Sequence, residues 1–162
     1  MATDFLLELD GIKGESNDAK HKDTIDIESF SWGISNAASS ASGGGGGAGK
    51  ASFQDLHFTT KVNKGSPLLA VACATGKHIK KAVLFVRKGG GDQQEFYKVT
   101  LEDALVSSYQ SGGHDSAGAQ IPTDQFSLNF AKIKFEYSPQ KPDGKLDSPA
   151  SFEWNLKTNT PK

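Results

Sequence analysis

The sequence predicts a mainly β fold, a β-sandwich or flattened barrel interrupted by one short α-helix. Three observations carry this. Apolar residues recur with a period of two along most of the 162 residues. Clusters of Gly, Pro, Asn and Asp separate these runs at strand-like spacing. Only one segment, about Pro67–Thr75, has the composition and flanking residues of a helix.

The elements follow in order. Phe5, Leu7 and Leu9 alternate before Asp10-Gly11 turns the chain. Ile25 and Ile27 give way to Phe30, Trp32 and Ile34, a change of phase that a β-bulge near Ser29 would produce. Residues 53–62, FQDLHFTTKV, read as strand with one break in phase. In the helix, Ser66 is the expected N-cap, Pro67 suits the first helical position, and Gly76 suits the position just past the end. Leu68, Leu69, Ala72 and Cys73 fall on one face, so this helix should dock on the sheets. Ala82, Leu84 and Val86 interleave with Val83 and Phe85, which marks a strand buried on both faces. Gly89-Gly90-Gly91-Asp92 supplies a turn, and Phe96 to Tyr109 is extended, as one strand or two. Phe126, Leu128 and Phe130 alternate, then Ile133, Phe135 and Tyr137 do so in the other phase, again implying a bulge. Pro139 to Pro149 is a polar turn region, and Phe152, Trp154 and Leu156 form a last strand.

Composition narrows the function. The length suits one domain spanning 1–162, able to bury a core without metals or disulfides. A net charge of −1 gives no overall cationic field for nucleic acid or anionic lipid. The basic run Lys77-His78-Ile79-Lys80-Lys81 is the local exception and reads as a solvated turn between helix and strand. Cys73 is the single cysteine, so no intramolecular disulfide can form. The N-terminus lacks a secretory signal pattern, and no stretch approaches about 20 apolar residues, so neither classical export nor membrane insertion is expected.

The run SGGGGGAGKAS at residues 42–52 asks whether Gly44–Lys50 binds phosphate, since it reads G-x-x-x-x-G-K. Ala51 replaces the Ser or Thr that would bind Mg²⁺. No apolar strand precedes it, and strand chemistry rather than a helix follows. The segment, about 36–52, is therefore a long Gly/Ser loop.

Catalytic chemistry finds no foothold. His21, His57, His78 and His114 are scattered without metal-ligand spacing, and no nucleophile or metalloprotease motif occurs. Asp26 and Glu28 lie on the solvated side of a strand, and Glu102 and Asp103 should point to opposite faces. Cys73 reads as small core packing. No enzyme activity and no cofactor or metal is expected.

The segments GESNDAKHKDTIDIESFSWG (Gly14–Gly33), GGAGKASFQDLHFTTKVNKGSPLLAVACATGKH (Gly46–His78) and FAKIKFEYSPQKPDG (Phe130–Gly144) resemble the haemolysin-coregulated protein (Hcp) family, the tube subunit of bacterial type VI secretion. The resemblance runs in order from about Phe5 to Leu156. Asn63 and Gly65 depart from the family pattern, which would soften the turn before the helix. The resemblance implies two antiparallel sheets in a compact barrel with one helix, assembled as a homohexameric ring. Stacked rings would form a hollow tube expelled by a contractile sheath, with a spike protein and small effectors as further partners. Export would then follow cytoplasmic assembly without a signal peptide. The loop, with Gly43, Gly44, Gly45, Gly46, Gly47 and Lys50, would bridge stacked rings. Ser31 and Gly33, on the small polar side of the Phe30–Ser35 alternation, would face the lumen. The alternative from another class is a monomeric β-sandwich binding a carbohydrate or small ligand.

Overall fold

The computed structural model describes residues 3–37, 50–89, 93–115, 118 and 121–161. Its elements are β1 (Thr3–Leu9), β2 (Ile25–Ile27), β3 (Ser29–Ser31), β4 (Ile34–Asn36), β5 (Ala51–Phe53), β6 (Leu56–Lys61), α1 (Ser66–Thr75), β7 (His78–Lys88), β8 (Glu95–Gly112), β9 (Thr123–Asn129), β10 (Lys132–Tyr137) and β11 (Ala150–Asn155). All described pairings are antiparallel.

The main sheet runs β2-β1-β7-β8-β9-β6-β3, with β10 and β11 branching from β8, while β4 and β5 pair separately. The branch is possible because β8 is long enough to take two neighbours on one side. Its Tyr97–Glu102 stretch pairs with β10, and its Leu105–Gly112 stretch pairs with β9. Between them Asp103 adopts φ +52, a left-handed conformation that Asp tolerates better than most residues. The Ala131 N–H bonds the carbonyls of Glu102 (3.1 Å) and Asp103 (3.2 Å) at this bend. Two layers result, and β8 belongs to both.

A second corner joins the far ends of the sheet. Strands β2 and β3 are its two termini, yet only Glu28 separates them in sequence. The Glu28 N–H bonds the Thr59 carbonyl (2.8 Å), and the buried Thr60 hydroxyl donates to the Asp26 carbonyl (2.6 Å). These bonds give a flattened, barrel-like sandwich without a continuous ladder across the seam.

The interior fills from both layers. Leu7, Leu9, Ile25, Leu84, Val99, Leu101 and Ile133 meet Leu56, Phe58, Phe126 and Leu128, and Leu69 and Ala72 of α1 cap the end. The doubly buried strand is β7, as its apolar run predicts. Ala82, Leu84 and Val86 enter this core, whereas Val83 and Phe85 form a second cluster with Leu6 on the outer face.

A strap of residues 14–24 accompanies that outer cluster. His21 stacks on Phe85 with ring centroids 4.1 Å apart and pairs with Glu95. Arg87, only 4% exposed, binds Asp18 through both terminal nitrogens and Asp4 through Nε (3.2 Å). Gly14 is required where the strap enters, because a Cβ there would stand 2.5 Å from the Thr24 carbonyl oxygen.

Several expectations need correction. The phase change in residues 25–34 is not a bulge: the chain leaves β2 at Glu28 and takes β6 as its new partner. Ile34 does not continue the inward alternation and is 45% exposed, because Gly33 takes the chain into the β4–β5 hairpin. Strands β9 and β10 are separated by a corner at Phe130-Ala131, again a change of partners. The extended segment from Phe96 is a single strand bulged between Val106 and Ser108. Glu102 and Asp103 are both exposed, since the positive φ interrupts alternation.

The helix begins one residue early. Gly65 is its N-cap, and Ser66 instead turns its buried hydroxyl toward the Asp124 carboxylate. Asn63 does not soften this turn: its Oδ1 accepts the Gly65 N–H (2.8 Å) and its own N–H bonds Ser66 Oγ (2.9 Å). Gly76 closes the helix in the left-handed conformation, φ +65, as expected. Leu68 faces outward, leaving Leu69 and Ala72 as the buried pair.

The strap generates a pH prediction. Hydrogen bonds from Arg87 lower the Asp18 pKa from 3.8 to about 2, against the opposing effect of burial. A lowered carboxylate pKa stabilises the fold above the unfolded value and loses that contribution as pH falls through the folded one. Urea unfolding should therefore show this contribution declining between about pH 4 and pH 2. Asp18→Ala should cost about 3 kcal/mol at pH 7, by taking from a buried guanidinium the carboxylate that holds both its terminal nitrogens, and should flatten that limb. An unchanged acid limb in the variant would remove Asp18 as its source.

Candidate interaction surface

Alternation and register together build a polar face on β3, β6, β9 and β8. In β6, Leu56, Phe58 and Thr60 turn inward, so His57 and Thr59 turn outward. In β9, Phe126 turns inward, which sends Gln125 and Ser127 to the same outer side. The register aligns Ser31, His57, Ser127 and Ser108 in one cross-strand row, and Ser29, Thr59, Gln125 and Gln110 in the next. Seven of these eight side chains are hydroxyls or amides; His57 is the eighth.

The bulge at Ser107 decides the last column. By inserting a residue opposite Leu128-Ser127, it keeps Val106 and Tyr109 both inside and brings Ser108 into the outer row. Ser127 is covered, bonding the hydroxyls of Ser107 (2.7 Å) and Ser108 (2.5 Å). Ser107 also donates to Asp55 (2.7 Å), which accepts Asn129 Nδ2 (2.9 Å). Tyr109 reaches the other way and donates to the fully buried Asp124 at 2.8 Å; burial, with the nearby carboxylate, raises its pKa. A depression of about 230 Å³ lies in the face, lined by His57, Thr59, Ser108, Gln110 and Gln125.

Ser31 lies exposed on this face, opposite His57. Gly33 lies beyond the end of β3, half-buried, and its carbonyl accepts the Gln54 N–H at 2.9 Å. A Cβ at Gly33 would stand 3.2 Å from the Gln54 side-chain oxygen. The two residues are thus near in sequence but differently engaged. Gly43, Gly44, Gly45, Gly46 and Gly47 lie outside the described residues. Lys50 is exposed immediately before β5, so strand and not helix follows it, as a nucleotide loop would not allow. The segment between β4 and β5 is therefore carried on a two-stranded base, Ile34–Asn36 against Ala51–Phe53.

Sequence reasoning missed Thr59, Gln125, Ser108 and Gln110, and gave His57 no setting. Their outward phase is legible in LHFTTK and TDQFSLN; their alignment across strands is not, because register is set by the bulge and by partners far along the chain. The remaining histidines lie apart. His21 belongs to the strap, His78 pairs with Asp103 (3.1 Å), and His114 is in the β8–β9 connection. Among the described residues no three His, Cys, Asp or Glu side chains are grouped as a metal site.

A β-sandwich with an open polar face across four strands and a separate β4–β5 pair has the form of a protein that works by surface contact. The family model described as "Type VI secretion system effector, Hcp" matches residues 6–137. The chain belongs to the Hcp family, a structural and secreted family of type VI secretion tube proteins. It is 44% identical to Protein hcp1 of Pseudomonas aeruginosa over 98% of both chains. Among solved structures, "Structure of a type six secretion system protein" matches with a TM-score of 0.92 and 32% identity, covering 99% of this chain and 100% of that one. Hcp1 from Salmonella typhimurium matches at 0.79 and 31%, with the same coverage.

Proposed function

We propose that this chain is one domain that closes with five copies of itself into a ring, and that stacked rings form a tube with effectors in the lumen. The sheath, the spike and small secreted effectors are its partners, and the tube leaves the cytoplasm through the machine itself. The observation that carries the reading is the pair of rows around Ser31, which hold no carboxylate, Lys or Arg. A wall that passes varied proteins must neither attract one charge nor present apolar patches, and hydroxyl and amide rows meet both needs.

The edges favour assembly. Apart from the Asn155–Thr160 bridge, the outer edge of β11 has no strand partner among the described residues. An open edge invites pairing, and a neighbouring subunit covers it in a head-to-tail ring. We read Gly43–Gly47 and Lys50, on the chain between β4 and β5, as the contact with an adjacent ring; the pairing of β4 with β5 at the two ends of that segment supports this. Consecutive glycines carry high conformational entropy, which a contact between rings would offset.

Light scattering should give a mass about six times 17.2 kDa. A monomer at micromolar concentration would contradict the ring and revive the single-domain ligand binder.

On intact rings, Ser31→Gln should extend one side chain per subunit from the wall and reduce effector export several-fold. Export at the wild-type level would remove Ser31 from the lumen.

Deleting Gly43–Gly47 should preserve the single-ring mass while electron micrographs show fewer stacked rings. Tubes of normal length from that deletion would exclude the loop as the stacking contact.

A further inference from the structure

Strands β4 and β5 stand apart from the main sheet. Among the described residues they pair with each other and with no other strand. Most of their side chains face solvent, since Ile34, Ser35, Asn36 and Ser52 are exposed. Two stretches of chain connect this pair to the body, Trp32-Gly33 on the way out and Gln54-Asp55 on the way back. The Gln54 N–H bonds the Gly33 carbonyl at 2.9 Å and holds the two stretches together. An isolated two-stranded hairpin is marginal in water, so such short strands do not fix their own direction. Side chains that reach back into the body must do so.

Each connection sends back one aromatic ring. Trp32 packs on Phe135 with centroids 5.4 Å apart. Phe53, the last residue of β5, is half-buried and meets Phe130 edge-on at 6.3 Å. It lies nearly parallel to Phe152 (6.5 Å) and Trp154 (6.2 Å), which are within 9° of parallel to each other. The register sets Phe135 directly opposite Phe152, so both returning rings land on one aromatic layer of β10 and β11. Trp154 serves that layer as a ring: its buried Nε1 has no hydrogen-bond partner among the described residues, whereas a buried indole N–H ordinarily finds one. The separations around Phe53 are at the wide end of the range of about 4.5–7 Å for aromatic pairs, so it adds little cohesion to the core. What it adds is direction, because a second point of attachment stops the pair from swivelling about Trp32.

We infer that Phe53 is a positioning residue: seated against Phe130, Phe152 and Trp154, its ring sets the direction in which β4 and β5 carry the segment between them. The inference rests on the reading of that segment as the contact with an adjacent ring. Every subunit must present the segment at the same angle for all the contacts between two rings to form together. An angle fixed beforehand removes part of the ordering cost from each contact. Plain core filling by Phe53 has a different consequence, since its loss would then lower stability and leave direction and stacking as they are.

The test uses rings of the full chain in a Cys73→Ala background, with nitroxides on Ser35→Cys and Glu102→Cys in a minority of chains diluted by unlabelled ones. With Phe53 in place, the distance between the labels should have one narrow distribution, and Phe53→Ala should widen it several-fold. Phe53→Tyr keeps the ring and should restore the narrow distribution. Light scattering should give one ring mass for all of these chains, while electron micrographs show several-fold fewer stacked rings for Phe53→Ala alone. Where Phe53→Ala does not fold, Phe53→Leu keeps the apolar bulk, loses the flat ring and carries the same expectations. An unchanged distribution overturns the inference, and so does normal stacking beside a widened one. The Gly43–Gly47 deletion keeps the two readings apart. Normal stacking by that deletion removes the inter-ring role of the segment, whereas the width of the distances still decides whether Phe53 sets its direction.

Discussion

The left-handed turn at Asp103 is the constraint on which the rest of the structure depends. One eighteen-residue strand can serve both layers only if it changes direction, and Asp103 with the Ala131 N–H makes that change. Strand β10 then takes the first half of β8 and β9 the second, from what would otherwise be a single edge. Every row of the polar face inherits its alignment from this division. The bulge at Ser107 adds the final displacement, placing Tyr109 against Asp124 inside and Ser108 beside Ser127 outside.

The opposite corner performs the same service with less covalent chain. At Glu28 the backbone passes from one end of the sheet to the other, and Thr60 ties the crossing to β6. A buried threonine hydroxyl must find an acceptor, and the Asp26 carbonyl at the crossing supplies one. Ser31 follows three residues later, so the position of the proposed lumen wall is fixed by this corner. Gly33 then releases the chain into the β4–β5 hairpin. The proposed contact face and the proposed assembly segment are thus separated by a single residue pair, Trp32-Gly33. Trp32 anchors the boundary by donating to the Tyr97 hydroxyl at 2.9 Å and packing on Phe135.

What was legible in the sequence was local. Alternation located the strands, the Ser-Pro start and Gly76 bounded the helix within a residue, and the double apolar run identified β7 as central. The family resemblance added what periodicity cannot, the identity of the fold. What was not legible was nonlocal. Both phase changes that read as bulges are changes of partner, and a phase shift alone does not distinguish the two. Arg87 and Asp18 are 69 residues apart, and nothing in the strap's polar sequence announces a buried ion pair. The serine and glutamine rows were visible as outward positions strand by strand, but their assembly into one face required the register. Leu68 was misassigned inward because a helix apolar all round gives its inner face no contrast.

The central proposal is that the face carrying Ser31 lines the inside of a ring and that the β10–β11 face, where Lys134 pairs with Glu153 (3.4 Å) and Glu136 (4.0 Å), does not. Pulsed electron paramagnetic resonance measures this on assembled rings, with Cys73→Ala as background and a nitroxide at position 31 or at position 134. The account predicts shorter distances across the ring from position 31 than from position 134, with the discrete set expected of six-fold symmetry. Longer distances from position 31 would place that face outside and contradict the account.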